Sequence, residues 1–285
     1  MFSFGVDSFI WSESFSEKDL WIIPKAKALG FETIDLAVAH PEKFPTAKVK
    51  KAATDAGIRL VTTHTLNKDT NLISPDPRTR AKGVSALKTM VDINYELGSP
   101  IFGGVIYAGW GCISGKPRTQ EEWDWSVTAM REAAQHAKRG GNLILAVEPV
   151  NRFETHFLNI AEDAVKYCKD VGTGNVKVHL DCFHMTHEEN SFRGAVEACG
   201  KEYLGYVHVC ESNRGVPGTG LVPWKEFFTA CGKVGYFGPM VIESFDPGFE
   251  ELNRMCAIWR KFADSGEELA VKGLSNLKRI SAEVA

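Results

Sequence analysis

The sequence predicts an α/β protein, a (β/α)8 TIM barrel with an extra C-terminal helix. Three observations carry that prediction. Short β-rich runs alternate with longer stretches of helical period, which implies a parallel sheet with helical crossovers. The alternation repeats eight times at about 35 residues per unit, close to what a barrel of roughly 250 residues requires. No Pro- or Ser-rich linker or low-complexity segment divides the 285 residues, so residues 1–285 are read as one domain. A doubly wound open sheet is the competing architecture. It lacks support, because no G-x-G-x-x-G follows the first strand and no P-loop occurs.

The elements follow in order. Phe4 to Ile10 reads as a strand, and Glu17 to Leu29 as a helix closed by Gly30. Thr33 to Val38 is a strand, and Thr46 to Asp55 a helix ending at Gly57. Arg59 to His64 is a strand. Asp76 to Leu97 is a long helix with Pro77 in its first turn and Gly98 at its end. Ile101 to Ile106 is a strand, and Gln120 to Arg139 a helix stopped by Gly140 and Gly141. The later strands are Leu143 to Val147, Val176 to Asp181, Tyr206 to Val209 and Met240 to Glu243. Their helices are Ile160 to Val171, Glu188 to Cys199, Trp224 to Val234 and Phe249 to Asp264. A last amphipathic stretch, Glu267 to Glu283, supplies the extra helix.

Composition narrows the function. Hydrophobic residues make up 44% and charged residues 24%, which is ordinary globular composition. The net charge of −3 argues against nucleic acid, whose partners carry a basic stripe. No apolar run approaches the roughly 18 residues of a membrane span, so no membrane partner is expected. Seven scattered cysteines without a C-x-x-C do not form a disulfide framework. With a first segment that reads as a strand rather than a signal peptide, the expected location is the cytoplasm.

Four strands end in metal-ligand residue types: Glu148 after Leu-Ile-Leu-Ala-Val, Asp181 after Val-Lys-Val-His-Leu, His208 after Gly-Tyr-Val, and Glu243 after Pro-Met-Val-Ile. In a barrel these ends converge on one mouth, where active sites are built. Three carboxylates packed there repel one another, and a divalent cation resolves the repulsion. Oxygen ligands with one imidazole favour Mn²⁺, Mg²⁺ or Co²⁺. Taken singly, each residue has a plainer reading: a helix cap for Asp181, a Lys partner for a Glu, a satisfied core residue for the His. Four at one end of consecutive strands reverse those odds. Cys182 and Cys210 adjoin the ligand positions, and strand alternation predicts that they face away. Arg152 reads as a neutraliser of nearby carboxylates, and His187 as part of an exposed helix start.

These segments resemble the xylose isomerase-like barrel superfamily and, within it, the ketose 3-epimerases (the D-tagatose, D-allulose and L-ribulose 3-epimerase group). The similarity is densest in Glu-Pro-Val-Asn-Arg-Phe-Glu-Thr at 148–155, Leu-Asp-Cys-Phe-His-Met at 180–185, His-Val-Cys-Glu-Ser-Asn-Arg at 208–214 and Val-Ile-Glu-Ser-Phe at 241–245. Gly-Phe-Glu-Thr-Ile-Asp-Leu at 30–36 is shared more widely. The resemblance implies metal ligation by Glu148, Asp181, His208 and Glu243, with Mn²⁺ foremost and Co²⁺ or Mg²⁺ as alternatives. It implies Glu148 and Glu243 as alternating acid and base in epimerisation of a free ketose at C3. It implies ketose contacts from Glu154, His184 and Arg214, packing by Phe245, and an apolar lid at Phe15. It also implies a homodimer or homotetramer. Trp110, Trp123, Trp125 and the C-terminal helix are interface candidates, although such aromatics serve equally as core or lid.

The sequence departs from the group's pattern in places. Cys182 stands where Thr is common, and Thr186-His187 where Asn-Ile is common. Asp7 and His64 end the first and third strands, where apolar or aromatic residues often border the far end of the sugar. Those two changes bear on the substrate more than on the reaction. Competing functions on the same barrel are an aldose–ketose or hydroxypyruvate isomerase and a non-catalytic sugar-binding protein. An endonuclease would call for more histidines at strand ends and a basic surface.

Overall fold

The computed structural model describes residues 2–246 and 248–284. Eight parallel strands close into a barrel in chain order. They are β1 (Ser3–Asp7), β2 (Thr33–Ala37), β3 (Arg59–Thr63), β4 (Ile101–Gly104), β5 (Ile144–Val147), β6 (Val176–Asp181), β7 (Leu204–His208) and β8 (Pro239–Ile242). The α-helices are α1 (Ile22–Ala28), α2 (Thr46–Ala56), α3 (Pro77–Leu97), α4 (Gln120–Gly140), α5 (Ala161–Val171), α6 (Cys182–Glu188), α7 (Phe192–Tyr203), α8 (Trp224–Val234), α9 (Glu250–Cys256) and α10 (Gly266–Ala282).

The long helices sit where their end signals put them. Asp76 accepts the Arg78 N–H and caps α3, with Pro77 at the first position, where a missing N–H costs nothing. Gly98 ends α3 in the left-handed region at φ 73°, which a side chain would strain. Thr119 and Glu122 form a capping box on α4.

Several predicted elements change: the helix predicted over 17–29 is a 3-10 turn over Glu17–Asp19 followed by α1, the strand predicted over 101–106 stops at Gly104, and three others change more. The first strand stops at Asp7, because the Asp7 carboxylate accepts the Phe9 N–H at 2.6 Å and turns the chain into a 3-10 turn over Ser8–Ile10. The helix predicted over 188–199 starts later, as α7 at Phe192 with Ser191 capping it by accepting the Gly194 N–H, and an unpredicted helix, α6, precedes it directly after Asp181. The helix predicted over 249–264 survives only as α9. It ends where Ala257 turns left-handed at φ 55°, and Ser265 restarts the chain as the cap of α10.

The barrel interior has layers. Val61, Ile101, Ala146, Tyr206 and Val241 form a small apolar plug. Buried polar residues adjoin it: Asp35 and His179 pair in register with Val61 and Tyr206, and Thr63 and His208 lie one strand step further along β3 and β7. The larger core, outside the barrel, packs the helices onto the strands. Trp123 belongs to it, edge-on to Tyr167 with ring centroids 5.4 Å apart, rather than to an interface. All seven cysteines are free thiols. No helix among the described residues is long and apolar enough to cross a membrane.

Candidate active site

Each predicted ligand stands at the C-terminal end of its strand. Asp181 and His208 are the last residues of β6 and β7, which pair with these two in register. Glu148 and Glu243 follow β5 and β8 directly. Asp181 carries the plain reading on one oxygen and leaves the other facing the cluster. Its Oδ1 accepts the Phe183 and His184 N–H groups and caps α6. Its Oδ2 points inward, 2.8 Å from Arg214 Nη1 and 3.7 Å from His208 Nδ1. His208 Nδ1 is also 3.5 Å from Glu243 Oε2.

The arrangement sets the charges. Burial drives the Glu148 carboxyl well above the ordinary carboxylate range. Burial also acts upward on Asp181 and Glu243, but the Arg214 guanidinium and His208 outweigh it: Asp181 is held well below the usual value, and Glu243 below it. His208 is pulled the other way; its carboxylate neighbours overcome the burial that would discharge it. Arg214 is itself buried, its guanidinium 4.2 Å from the Phe183 ring centroid and 5.3 Å from that of Phe245. Its backbone is left-handed at φ 61°, and Ser244 Oγ bonds its carbonyl.

Above the cluster opens a cavity of about 360 Å³, the size of a small-molecule site. Glu148, Glu243, Arg214, His184, Glu154, Phe245 and His64 line it. His184 Nδ1 accepts the backbone and side-chain N–H groups of Asn151 at 3.1 and 3.0 Å. A neutral ring then carries its proton on Nε2, which lies 3.3 Å from Arg214 Nη2 and 3.8 Å from Glu148 Oε1, at the cavity floor. Burial lowers its pKa, which keeps the ring neutral. Glu154 is held from both sides, by Asn151 Nδ2 at 2.8 Å and Trp110 Nε1 at 2.7 Å. His64 Nδ1 donates to the Val38 carbonyl at 2.6 Å, which leaves Nε2 as an acceptor.

Some expectations are not met. Asp7 does not border the cavity: it is fully buried and spends one oxygen on the turn after β1. Phe15 is also off the cavity wall, packed on Phe44 with ring centroids 6.0 Å apart. Cys182 faces the helix–strand core, as predicted, but Cys210 does not face away. Its thiol donates to Asp181 Oδ2 at 3.2 Å. Strand alternation fails there because β7 has ended at His208 and the chain is already turning. Arg152 pairs with Glu188 and stays exposed, away from the cluster. His187 is exposed, its ring bonded to the Phe183 carbonyl.

Comparison with known proteins agrees with this geometry. The model of the xylose isomerase-like TIM barrel family matches residues 23–280. D-psicose 3-epimerase of Ruminiclostridium cellulolyticum is 33% identical over 269 residues, covering 93% of this chain and 91% of that protein. L-ribulose 3-epimerase of Mesorhizobium japonicum is 34% identical over 260 residues, covering 90% of this chain and 86% of that protein. A crystal structure of D-allulose 3-epimerase from Methylomonas sp. superimposes with a TM-score of 0.93 at 32% identity, over 98% of both chains. The chain belongs to the xylose isomerase-like TIM barrel family, in its ketose 3-epimerase group. Membership makes it an isomerase-class enzyme.

The donor set fits a divalent cation. Donors bound to one ion at about 2.1 Å lie about 3–4 Å apart, and the His208 Nδ1 contacts fall in that span. Nδ1 is buried and has no hydrogen-bond partner among the described residues. Once Glu148 and His208 give up their protons, three carboxylates against the Arg214 cation leave two negative charges, which a divalent ion balances. The sequence reading missed what lies beneath. Asp35 accepts from Thr63 Oγ1 at 3.2 Å, Tyr206 OH at 2.5 Å and His208 Nε2 at 3.2 Å, all buried. A carboxylate behind a ligand histidine fixes its tautomer and orientation. Period-two alternation along β2 and β6 was the available signal for Asp35 and His179.

Proposed function

We propose that the chain epimerises a free ketose at C3 through an enediolate, with Glu148 and Glu243 as alternating base and acid. The observation that carries this reading is the pair itself. Two carboxylates from β5 and β8 reach the floor of one cavity, and their environments push their proton affinities apart. A divalent cation held by Glu148, Asp181, His208 and Glu243, with Mn²⁺ as the first candidate and Co²⁺ or Mg²⁺ next, would polarise the ketose carbonyl and offset the charge that builds on its oxygen.

The chain's own groups do the rest. One Glu removes the C3 proton from one face of the sugar, and the other delivers a proton to the opposite face. Reversal of the reaction exchanges their roles. His184 donates Nε2–H, and Arg214 donates its guanidinium protons, to sugar oxygens. Glu154 accepts a hydroxyl. Phe245 gives an apolar wall, and His64 Nε2 accepts at the far end. The named activities of the relatives support a ketose as the substrate. We further propose one barrel domain over 1–285, a cytoplasmic location and a homodimer or homotetramer.

The test is exchange of the substrate's C3 proton with solvent deuterium, followed by NMR. Glu148→Gln and Glu243→Gln are each expected to abolish it. Retained exchange in both variants sinks the two-carboxylate scheme. Exchange at C1 rather than C3 would favour an aldose–ketose isomerase.

A further inference from the structure

We propose that His179 is a further ligand of the same ion, contributed from inside the barrel. The proposal rests on the metal-dependent reading above and extends it to a residue outside the predicted ligand set.

His179 lies two residues before Asp181 on β6, so alternation turns both side chains to the barrel axis. It is fully buried, and neither ring nitrogen has a hydrogen-bond partner among the described residues. Buried polar atoms nearly always find partners, and an imidazole with none on either side is exceptional. The ring is aimed at the cluster. Nδ1 is 3.7 Å from Glu148 Oε2, and the ring meets His208 edge-on with centroids 4.2 Å apart. One donor atom each from Glu148, His179 and His208 lies within 4.8 Å of the other two, and this group shares His208 with a second one made of Asp181, His208, Cys210 and Glu243. The space is kept open from β4: a Cβ on Gly103 would stand 3.3 Å from His179 Nδ1 and 3.1 Å from the Tyr206 ring. Tyr206 packs on the other side at 4.4 Å between centroids, but its hydroxyl is committed to Asp35. An apolar side chain would fill the same volume without an unsatisfied nitrogen. What the imidazole adds is a nitrogen 3.7 Å from the Glu148 carboxylate.

A second imidazole changes the character of the site. Nitrogen donors favour metals later in the Irving–Williams order. Co²⁺ is therefore expected to gain more from His179 than Mg²⁺ does.

The experiment is X-ray absorption at the cobalt edge on the full chain loaded with Co²⁺ alone. The expected count is two imidazoles per ion, from His179 and His208. His179→Leu should lower it to one, and His184→Leu should leave it at two. By calorimetry, His179→Leu should weaken Co²⁺ binding about tenfold or more, the scale seen even for partners behind a ligand, and Mg²⁺ binding by less. Where the Leu variant does not fold, His179→Gln takes its place. One imidazole in the unmutated protein, or two in the His179 variant, overturns the proposal and leaves the epimerase reading standing. Absence of any bound Co²⁺ overturns both, and C3 exchange without metal would then confirm that the metal reading itself had failed.

Discussion

Asp35→Asn tests whether the buried layer beneath the mouth tunes the metal site. The substitution keeps the volume and removes the charge. An Asn side chain can still place its oxygen toward Tyr206 OH and His208 Nε2, the pair that Asp35 Oδ2 accepts from. Its NH₂ would then face Thr63 Oγ1, which can accept. The geometry survives, so the loss is the charge on two bonds. A hydrogen bond to a charged group is worth about 1.5–3 kcal/mol against about 0.5–1.5 for a neutral one, a difference of about 1 kcal/mol each. Only the His208 bond acts on a ligand, which gives about 1 kcal/mol, or roughly fivefold in a binding constant. We expect Mn²⁺ affinity, measured by calorimetry on metal-stripped protein, to fall by about that factor. The metal-free melting temperature serves as the control for folding. Affinity within about twofold of the parent would show that Asp35 does not hold His208, and would refute the argument.

Three other predictions follow from particular contacts. Trp110→Phe removes one of the two bonds that hold Glu154; a loss of about 1.4 kcal/mol raises KM about tenfold with kcat little changed, and a KM within about twofold would sink it. Burial raises the folded-state pKa of Glu148, and carboxylate neighbours raise that of His208. Both groups therefore hold a proton that the unfolded chain has lost, so their contribution to stability fades as pH rises through the folded values. Metal binding needs both deprotonated, so the rise in melting temperature on adding Mn²⁺ should be larger at pH 8 than at pH 5.5; an equal or smaller shift at pH 8 contradicts this. Gly104 ends β4 at φ 113°, and a Cβ there would run into the His64 carbonyl. Gly104→Ala should cost about 2–3 kcal/mol and lower the melting temperature by about 5–10 °C, with a shift under about 2 °C counting against it.

Much of the site was legible because barrel geometry turns spacing into position. Glu148, Asp181, His208 and Glu243 each end a strand, and a closed parallel sheet brings all such ends to one mouth. The loop residues Glu154, His184 and Arg214 follow those strands closely enough to share the cavity. Elements with caps in the sequence, such as α3 with Asp76 and Gly98, came out near their expected bounds. The stretch after β8 did not, since apolar spacing at Leu252, Ile258 and Phe262 looks helical but packs as a small loop cluster with Phe245.

The sequence by itself determined the eight-fold alternation, the parallel barrel and the strand ends that carry the ligand types. Local pattern suffices there, because periodicity and turn residues act over a few positions. Only the tertiary structure decided which way the flanking residues face and what stands behind them. It turned Cys210 inward past the end of β7, withdrew Asp7 and Phe15 from the cavity, and stacked Asp35, Tyr206, His179 and His208 inside the barrel. Those facts depend on contacts between β2, β6 and β7, up to 173 residues apart along the chain. No local pattern encodes such pairings; closure of the sheet creates them.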